Sequence, residues 1–521
     1  MDLKQHLIHR NYKKCEAKNQ MIIGDDYSVP DGKPDILKIL QKCAELSVEE
    51  VATEKGKVRV RGKLKVDVFY LTQRSAQRVE SLQMEFPFEE ILYMDGAASG
   101  DNLKIDWMIE ELKIQMIHPG KLNVRSIVVL QGVIKGCEEH LVTEDVEAEE
   151  HLQKKELIYR TAEPAIDRKD SYRIRDEVNL SANKTNVQKV LWQNLQLQGV
   201  DIRIQDGRLA VKGECHLFVV YEGEGDQESF EWFEQTIPFQ GTLDVTGLTG
   251  EMFGTVETEI SHRSVEVKPD YDGELRSFQI EVMLDIHMHL YEECDHKMLQ
   301  DVYSTKELLN LEKKQIKYEK LRICNETKGR INGIGKIETD GKVLQIASFV
   351  SHITGKQFKI QEQGIMCEGV VEVQVLYLTT SDQEPFGCIS AEIPYSQLIE
   401  TSGIQKEDEW HVTESIDQMF VTMSEGNIID IKGTLNFHVC VMEQCVMETI
   451  VGILREPYDL ETYKKRPGMV IHFVQPKETL WELAKAYWTT TEEIQKTNEL
   501  STEEIISGQK LLLMKNSMET L

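Results

Sequence analysis

The sequence predicts a mainly β protein: three tandem β-sandwich-like repeats of about 150 residues, followed by a small β-α-α-β module. Three observations carry that expectation. A stretch of alternating apolar residues running from Gly to Tyr occurs three times, as Gly62–Tyr70, Gly213–Tyr221 and Gly369–Tyr377, always eight residues apart. Further landmarks recur at matched offsets from each glycine. After Pro467-Gly468 the apolar spacing changes, and short helical patterns with helix-start signals appear.

The elements of a repeat follow in order. Twenty-six residues before each glycine stands an apolar pair, Ile36 and Ile39, Val187 and Val190, Val343 and Ile346. The Gly-to-Tyr segment alternates with period two and is rich in β-branched residues, which marks a half-buried strand. Twenty-five residues after each glycine comes a proline beside an aromatic: Pro87-Phe88, Pro238-Phe239, Pro394-Tyr395. Proline donates no ladder hydrogen bond, so this segment belongs at a sheet edge or a strand start. Twenty-seven residues further on come Ile114, Val265 and Val421. Each copy then closes with a hairpin whose turn is His118-Pro119-Gly120, Pro269–Gly273 or Ser424–Asn427. Gly62 to Gly213 is 151 residues and Gly213 to Gly369 is 156, too long for a solenoid unit. Each copy is therefore expected to be its own β domain, and an amphipathic sheet that must cover its apolar face favours a sandwich. The expected domains are 20–140, 171–300, 320–455 and 466–516. The charged segments between copies, Thr143–Lys155 and Asn310–Glu319, read as solvated connectors. Leu157-Ile158-Tyr159 and Ser171–Ile174 are candidate bridging strands.

Charge and composition narrow the function classes. The chain has 521 residues, and its acids outnumber its bases 89 to 60, for a net charge of −29. That balance disfavours nucleic acid or an anionic membrane as the main partner. No apolar run approaches the roughly 20 residues needed to span a bilayer, and no apolar segment of signal-peptide type follows Met1–His6. The ten cysteines form no CxxC pair. These features lead us to expect a cytoplasmic protein with reduced cysteines.

Val470–Val474 reads as the first strand of the C-terminal module. Thr479-Leu480-Trp481-Glu482 and Thr490-Thr491-Glu492-Glu493 are capping boxes, each opening a short helix. Ser507-Gly508-Gln509 turns into a last strand, Lys510–Met514. With Val474, Thr479-Leu480, Leu483-Ala484, Tyr487, Thr490-Thr491, Ile494, Asn498, Leu500, Ile505, Gly508-Gln509 and Leu511, this segment resembles a LysM domain. The resemblance implies a groove between the loop before the first helix and the loop before the last strand. Its candidate partner- or glycan-binding residues are Lys477, Glu478, Thr479, Leu480, Trp488, Ile506, Ser507, Gly508 and Gln509. LysM domains usually read Gly-Asp-Thr-Leu where this chain has Lys477-Glu478-Thr479-Leu480, and the lysine adds a side chain where backbone would approach a sugar. Trp488 stands where a small or polar residue is usual. It packs locally or serves as an aromatic anchor for a protein partner; Trp481 is read as packing.

Lys33-Pro34-Asp35-Ile36, the Gly-to-Tyr strand and the Pro-aromatic pair together resemble the SPOCS domain. The later copies keep the spacing but not the motif, with Lys184-Thr185-Asn186-Val187 and Asp340-Gly341-Lys342-Val343. The whole arrangement is similar to the SipL-like spore coat morphogenetic proteins of spore-forming Firmicutes. That resemblance implies a scaffold in the mother-cell cytoplasm at the forespore surface, whose LysM domain contacts the coat basement-layer ATPase of the SpoIVA type. Other coat proteins are further implied partners. The alternative is a cell-wall protein that binds peptidoglycan or N-acetyl glycans.

No enzyme emerges from the residues, and no cofactor, catalytic residue or metal ligand is assigned. Gly333-Ile334-Gly335-Lys336 lacks the P-loop glycine and hydroxyl, because Arg330 and Ile337 occupy those places. Asp285, His287 and His289 share one strand face as half of a metal site at most, and polar alternation on a sheet is the favoured reading.

Overall fold

A computed structural model describes residues 1–73, 78–147, 151–225, 230–338, 342–381, 383–425, 427–457 and 467–514. Repeat one comprises β1 (Leu3–Ile23), β2 (Asp26–Ser28), β3 (Ile36–Glu54), β4 (Lys57–Thr72), β5 (Val79–Tyr93), β6 (Asn102–His118) and β7 (Lys121–Val146). Repeat two comprises β8 (Leu152–Asn179), β9 (Val187–Gln205), β10 (Arg208–Gly223), β11 (Phe230–Asp244), β12 (Phe253–Pro269) and β13 (Leu275–Ser304). Repeat three comprises β14 (Glu307–Lys336), β15 (Val343–Gln361), β16 (Gly364–Thr379), β17 (Phe386–Glu400), β18 (Glu409–Ser424) and β19 (Ile428–Pro457).

Each repeat is a sandwich of two antiparallel sheets. One is a meander, β3-β4-β5 and its counterparts β9-β10-β11 and β15-β16-β17. The other centres on the long last strand: β7 between β1 and β6, β13 between β8 and β12, β19 between β14 and β18. The Gly-to-Tyr segments are the central meander strands, and the Pro-aromatic pairs lie on the edge strands β5, β11 and β17, where a missing amide is tolerated.

The register explains why the landmarks keep their spacing. Gly62 pairs with Phe88, Gly213 with Phe239 and Gly369 with Tyr395. A Cβ on Gly213 would lie 2.7 Å from the Phe239 ring, and one on Gly369 would lie 2.5 Å from the Tyr395 hydroxyl. The glycine makes room for the ring that folds across it. At the other end of the strand, the Tyr70 hydroxyl donates to the Pro34 carbonyl at 3.1 Å, and Tyr221 donates to the Thr185 carbonyl at 3.4 Å. The Lys-Pro-Asp-Ile segment is thus the receptor for the conserved-spacing tyrosine, and Ile36 is fully buried beside it. Asp340 and Gly341 of the third copy lie outside the described residues. Gly333 and Gly335 sit inside β14, where added Cβ atoms would meet Ile393 and Ile429 within 2.8 Å; the segment is strand, not a phosphate loop.

Two features depart from the expected string of separate domains joined by solvated connectors. First, the outer strands run on past each sandwich as two-stranded ribbons. Leu3 pairs with Val146, Leu152 with Ser304 and Glu307 with Pro457 at their tips. The ribbons pack on one another through Val146, Leu152, Leu299, Val302, Leu309, Ile450 and Ile453, and through Ile8, Val142, Tyr159, Met298 and Ile316. Thr143 accordingly donates to the Ile450 carbonyl at 2.5 Å, and both residues are fully buried. The segments read as connectors therefore lie largely in strands: most of their Glu and Lys residues face outward while Val146, Leu152 and Ile316 point inward, and Glu319 is buried (residues 148–150 lie outside the described residues). Second, the three meander sheets meet in one apolar cluster. It holds Leu40, Leu191 and Ala347, each 22 residues before its landmark glycine, and Phe69, Val220 and Leu376, each seven after. The set is completed by Val79, Phe230 and Phe386, each 17 after. Matched positions from all three copies touching in one place give the chain a pseudo-threefold axis.

Candidate functional site

The C-terminal module has the order β20 (Met469–Phe473), α1 (Leu480–Tyr487), α2 (Thr491–Asn498), β21 (Lys510–Met514). Both helices are too short to persist alone in water, so their ends are closed by side chains. The Thr479 hydroxyl accepts from the Glu482 amide at 3.3 Å, and the Glu482 carboxylate accepts from the Thr479 amide at 3.0 Å. Thr490 and Glu493 repeat the arrangement at 3.1 and 3.2 Å. Val474, Leu480, Leu483, Ala484, Ile494, Leu511 and Leu513 form the core. Asn498 ties α2 to β21 by donating to the Leu512 carbonyl at 2.8 Å and accepting from its amide at 2.6 Å.

The module is seated on the tip of the second ribbon. Tyr303 of β13 is part of the module's core, meets Trp481 edge-to-face at 4.9 Å and donates its hydroxyl to the Thr489 carbonyl at 2.9 Å. Asp301 accepts from the Trp481 indole N–H at 2.8 Å and from Lys485 Nζ at 2.7 Å. Trp481 is therefore a packing residue, as its position in the sequence suggests, but what it packs against comes from 180 residues upstream.

The two groove loops are held together by backbone bonds, Gly508 N–H to the Val474 carbonyl at 2.8 Å and Val474 N–H to the Gln509 carbonyl at 3.0 Å. Of the nine candidate residues, several have structural duties. Thr479 caps α1 and Leu480 is buried. The Gln509 side chain closes its own loop by accepting from the Ile506 amide at 3.0 Å. Glu478 accepts from His472 Nε2 at 2.8 Å and from the Gln475 amide at 2.7 Å, and those bonds, His472 foremost, hold its carboxyl below the usual range. Lys477, Ile506, Ser507 and Gly508 are exposed at the groove mouth. Lys477 has φ +70°, the left-handed conformation that favours glycine. The loop thus keeps a glycine-type turn and adds a cationic side chain to it.

Trp488 is not in the groove. It is the half-buried C-cap of α1, also left-handed at φ +56°, and nine residues of helical rise place it roughly 13 Å from Thr479 along the axis. It borders the Tyr303–Thr489 junction instead. A surface that the groove pattern does not include is the outer face of β20. Met469, Ile471 and Phe473 project there, and Ile471 and Phe473 are 64% and 51% exposed; on the 506–509 loop Ile506 is 76% exposed. Met514 pairs with Met469 and Leu512 with Ile471 across the two strands, extending the apolar strip. The signal in the sequence is that Met469, Ile471 and Phe473 are apolar as well as Val470 and Val474, with His472 the one polar residue of the segment, a pattern that a strand with one solvated face does not need.

His287, His289 and Asp285 do not assemble a metal site. Asp285 pairs with Lys169 at 2.6 Å, while His289 Nδ1 is 2.9 Å from Asp167. Among the described residues, no helix is long and apolar enough to cross a membrane.

Comparison with protein families gives two matches. The SipL, SPOCS domain model matches residues 35–117, 186–268 and 342–424, and the LysM domain model matches residues 472–513. No curated protein and no solved structure matches the chain.

Proposed function

The chain belongs to the SipL family, with three SPOCS domains and a LysM domain on one polypeptide, and from that premise we propose that it is a non-enzymatic scaffold of spore coat assembly. It is a sporulation-related coat protein by family. In the proposed role, the LysM domain docks onto the coat basement-layer ATPase of the SpoIVA type, in the mother cell at the forespore surface, and the SPOCS body links that layer to other coat proteins. Multivalency is the mechanism: several weak contacts on one rigid body raise the effective concentration of each.

The observation that carries a protein partner over a sugar is the exposed apolar strip of Ile471, Phe473 and Ile506 beside the groove. Exposed apolar side chains of this kind, edged by the Lys510 ammonium 5.5 Å over the Phe473 ring, suit a protein interface. The test is retention of the purified basement-layer ATPase by the immobilised full chain, compared with the double variant Phe473→Asp, Ile506→Asp. We expect the variant to lose binding by tenfold or more, about 1.4 kcal/mol. Wild-type retention by the variant refutes the assignment. The glycine-type turn at Lys477 favours the second reading, glycan binding, and that reading predicts co-sedimentation with insoluble peptidoglycan that Lys477→Glu abolishes.

A further inference from the structure

The face of the second ribbon that meets the first carries a cluster of metal-binding atoms that the scaffold reading leaves unused. Tyr159, Thr161 and Glu163 alternate onto that face of β8. Cys294 pairs with Thr161 and His296 with Tyr159 in the β13 register, so both share it. A Glu163 oxygen, the Cys294 sulfur and a His296 ring nitrogen all lie within 4.8 Å of one another, and all three residues are half-buried. His296 Nε2 is 2.6 Å from Glu163 Oε1 and 3.0 Å from Thr161 Oγ1. From β1 of the first ribbon, His9 Nδ1 stands 3.6 Å from Glu163 Oε2. His6 stacks on His296, with ring centroids 4.8 Å apart and planes 7° from parallel, and meets the Tyr159 hydroxyl at 3.2 Å.

We propose that Glu163, Cys294 and His296 bind one zinc ion, with His9 as the fourth ligand, and that the ion fastens the first ribbon to the second. One sulfur, two imidazole nitrogens and one carboxylate oxygen form a four-coordinate donor set suited to zinc. Three of the ligands stand on paired strands, so their placement is set by the sheet before the ion arrives. Binding requires the thiolate: the Cys294 sulfur forms the metal bond and its proton leaves to solvent, one proton per ion from that group. His9 comes from a strand some 150 residues before Glu163 in the chain, so the bound ion reinforces a contact that the ribbons otherwise make by apolar packing and by polar pairs such as His6 with Tyr159 and Lys154 with Asp145.

The test uses the full chain titrated with cobalt(II), which reports thiolate ligation by a charge-transfer band in the near ultraviolet. We expect one equivalent of cobalt to produce the band, and zinc to displace it. Cys294→Ser abolishes the band, and His296→Gln weakens binding by about tenfold or more through an independent substitution. Cys324→Ser leaves the band intact, even though Cys324 lies 3.6 Å from His438 on the third ribbon. Absence of the band in the wild-type chain, or its survival in Cys294→Ser, overturns the site. Unchanged affinity in His9→Ala overturns the fastening of one ribbon to the other.

Discussion

Replacing Phe386 by Ala tests whether the three SPOCS repeats form one body or three. Phe386 is fully buried in the axial cluster, with its ring 5.7 Å from Phe69 of repeat one and 5.2 Å from Phe230 of repeat two. A phenylalanine side chain buries about 200 Å². At about 25 cal/mol per Å² that is roughly 5 kcal/mol, of which alanine recovers a minor part. The cavity left between two rings fixed by their own sheets adds to the loss, and buried Phe→Ala changes fall at about 3–5 kcal/mol. We expect about 4 kcal/mol, equivalent to a nearly thousandfold rise in the open population. The informative readout is amide exchange in the other repeats. If the axis couples them, protection of β4 and β10 falls together with that of β16. Loss confined to β16 and β17, with β4 and β10 unchanged, refutes the coupling and restores the picture of independent domains.

Two further outcomes follow from polar contacts between parts of the chain. Glu257 of repeat two joins Lys104 of repeat one and His411 of repeat three at 2.5 Å each. Burial by itself raises its pKa, but His411 first and Lys104 second outweigh that and hold the carboxyl well below its ordinary value. A depressed folded pKa stabilises the fold above the unfolded value of about 4.3 and loses that contribution as pH falls below it. Glu257→Gln is therefore expected to lower stability at pH 7 by about 2 kcal/mol and to flatten the acid limb in thermal unfolding; an unchanged acid limb contradicts the assignment. Asp301→Ala removes the acceptor for Trp481 and Lys485, and we expect it to weaken the seating of the LysM domain by about 1.5–3 kcal/mol and leave its own fold intact. Acrylamide quenching that increases in Asp301→Ala, but not in the same variant carrying Trp481→Phe, reports the release; equal quenching in both rules it out.

The repeat was legible because its landmarks are local consequences of strand register. Gly213 must face Phe239 across one ladder, and Tyr221 must reach back to the Thr185 carbonyl, so their spacings persist where residue identities drift. The LysM helices were equally legible, since Thr479 with Glu482 and Thr490 with Glu493 form their capping boxes within three residues. Harder to read was the end of each central strand, where Val68-Phe69-Tyr70-Leu71 and Val375-Leu376-Tyr377-Leu378 are apolar without alternation. Those runs are buried on both faces: Val68 and Tyr70 point into the sandwich, while Phe69 and Leu71 point to the axis. The candidate groove was legible in part. Backbone pairing of Val474 with Gly508 and Gln509 ties the start of the first loop to the second, but Trp488 belongs to the far end of α1.

By itself, then, the sequence determined what depends on neighbours along the chain: strand periods, turns, helix caps, and the threefold recurrence that identified the SPOCS and LysM domains. Only the tertiary structure decided what depends on residues more than a hundred positions apart. The threefold cluster of Leu40, Leu191 and Ala347, the seating of Trp481 on Asp301 and the meeting of His9 with Glu163 are all of this kind. The physical reason is that a β-strand exposes its two faces by simple alternation, which records that a face is apolar or polar but not which distant surface covers it.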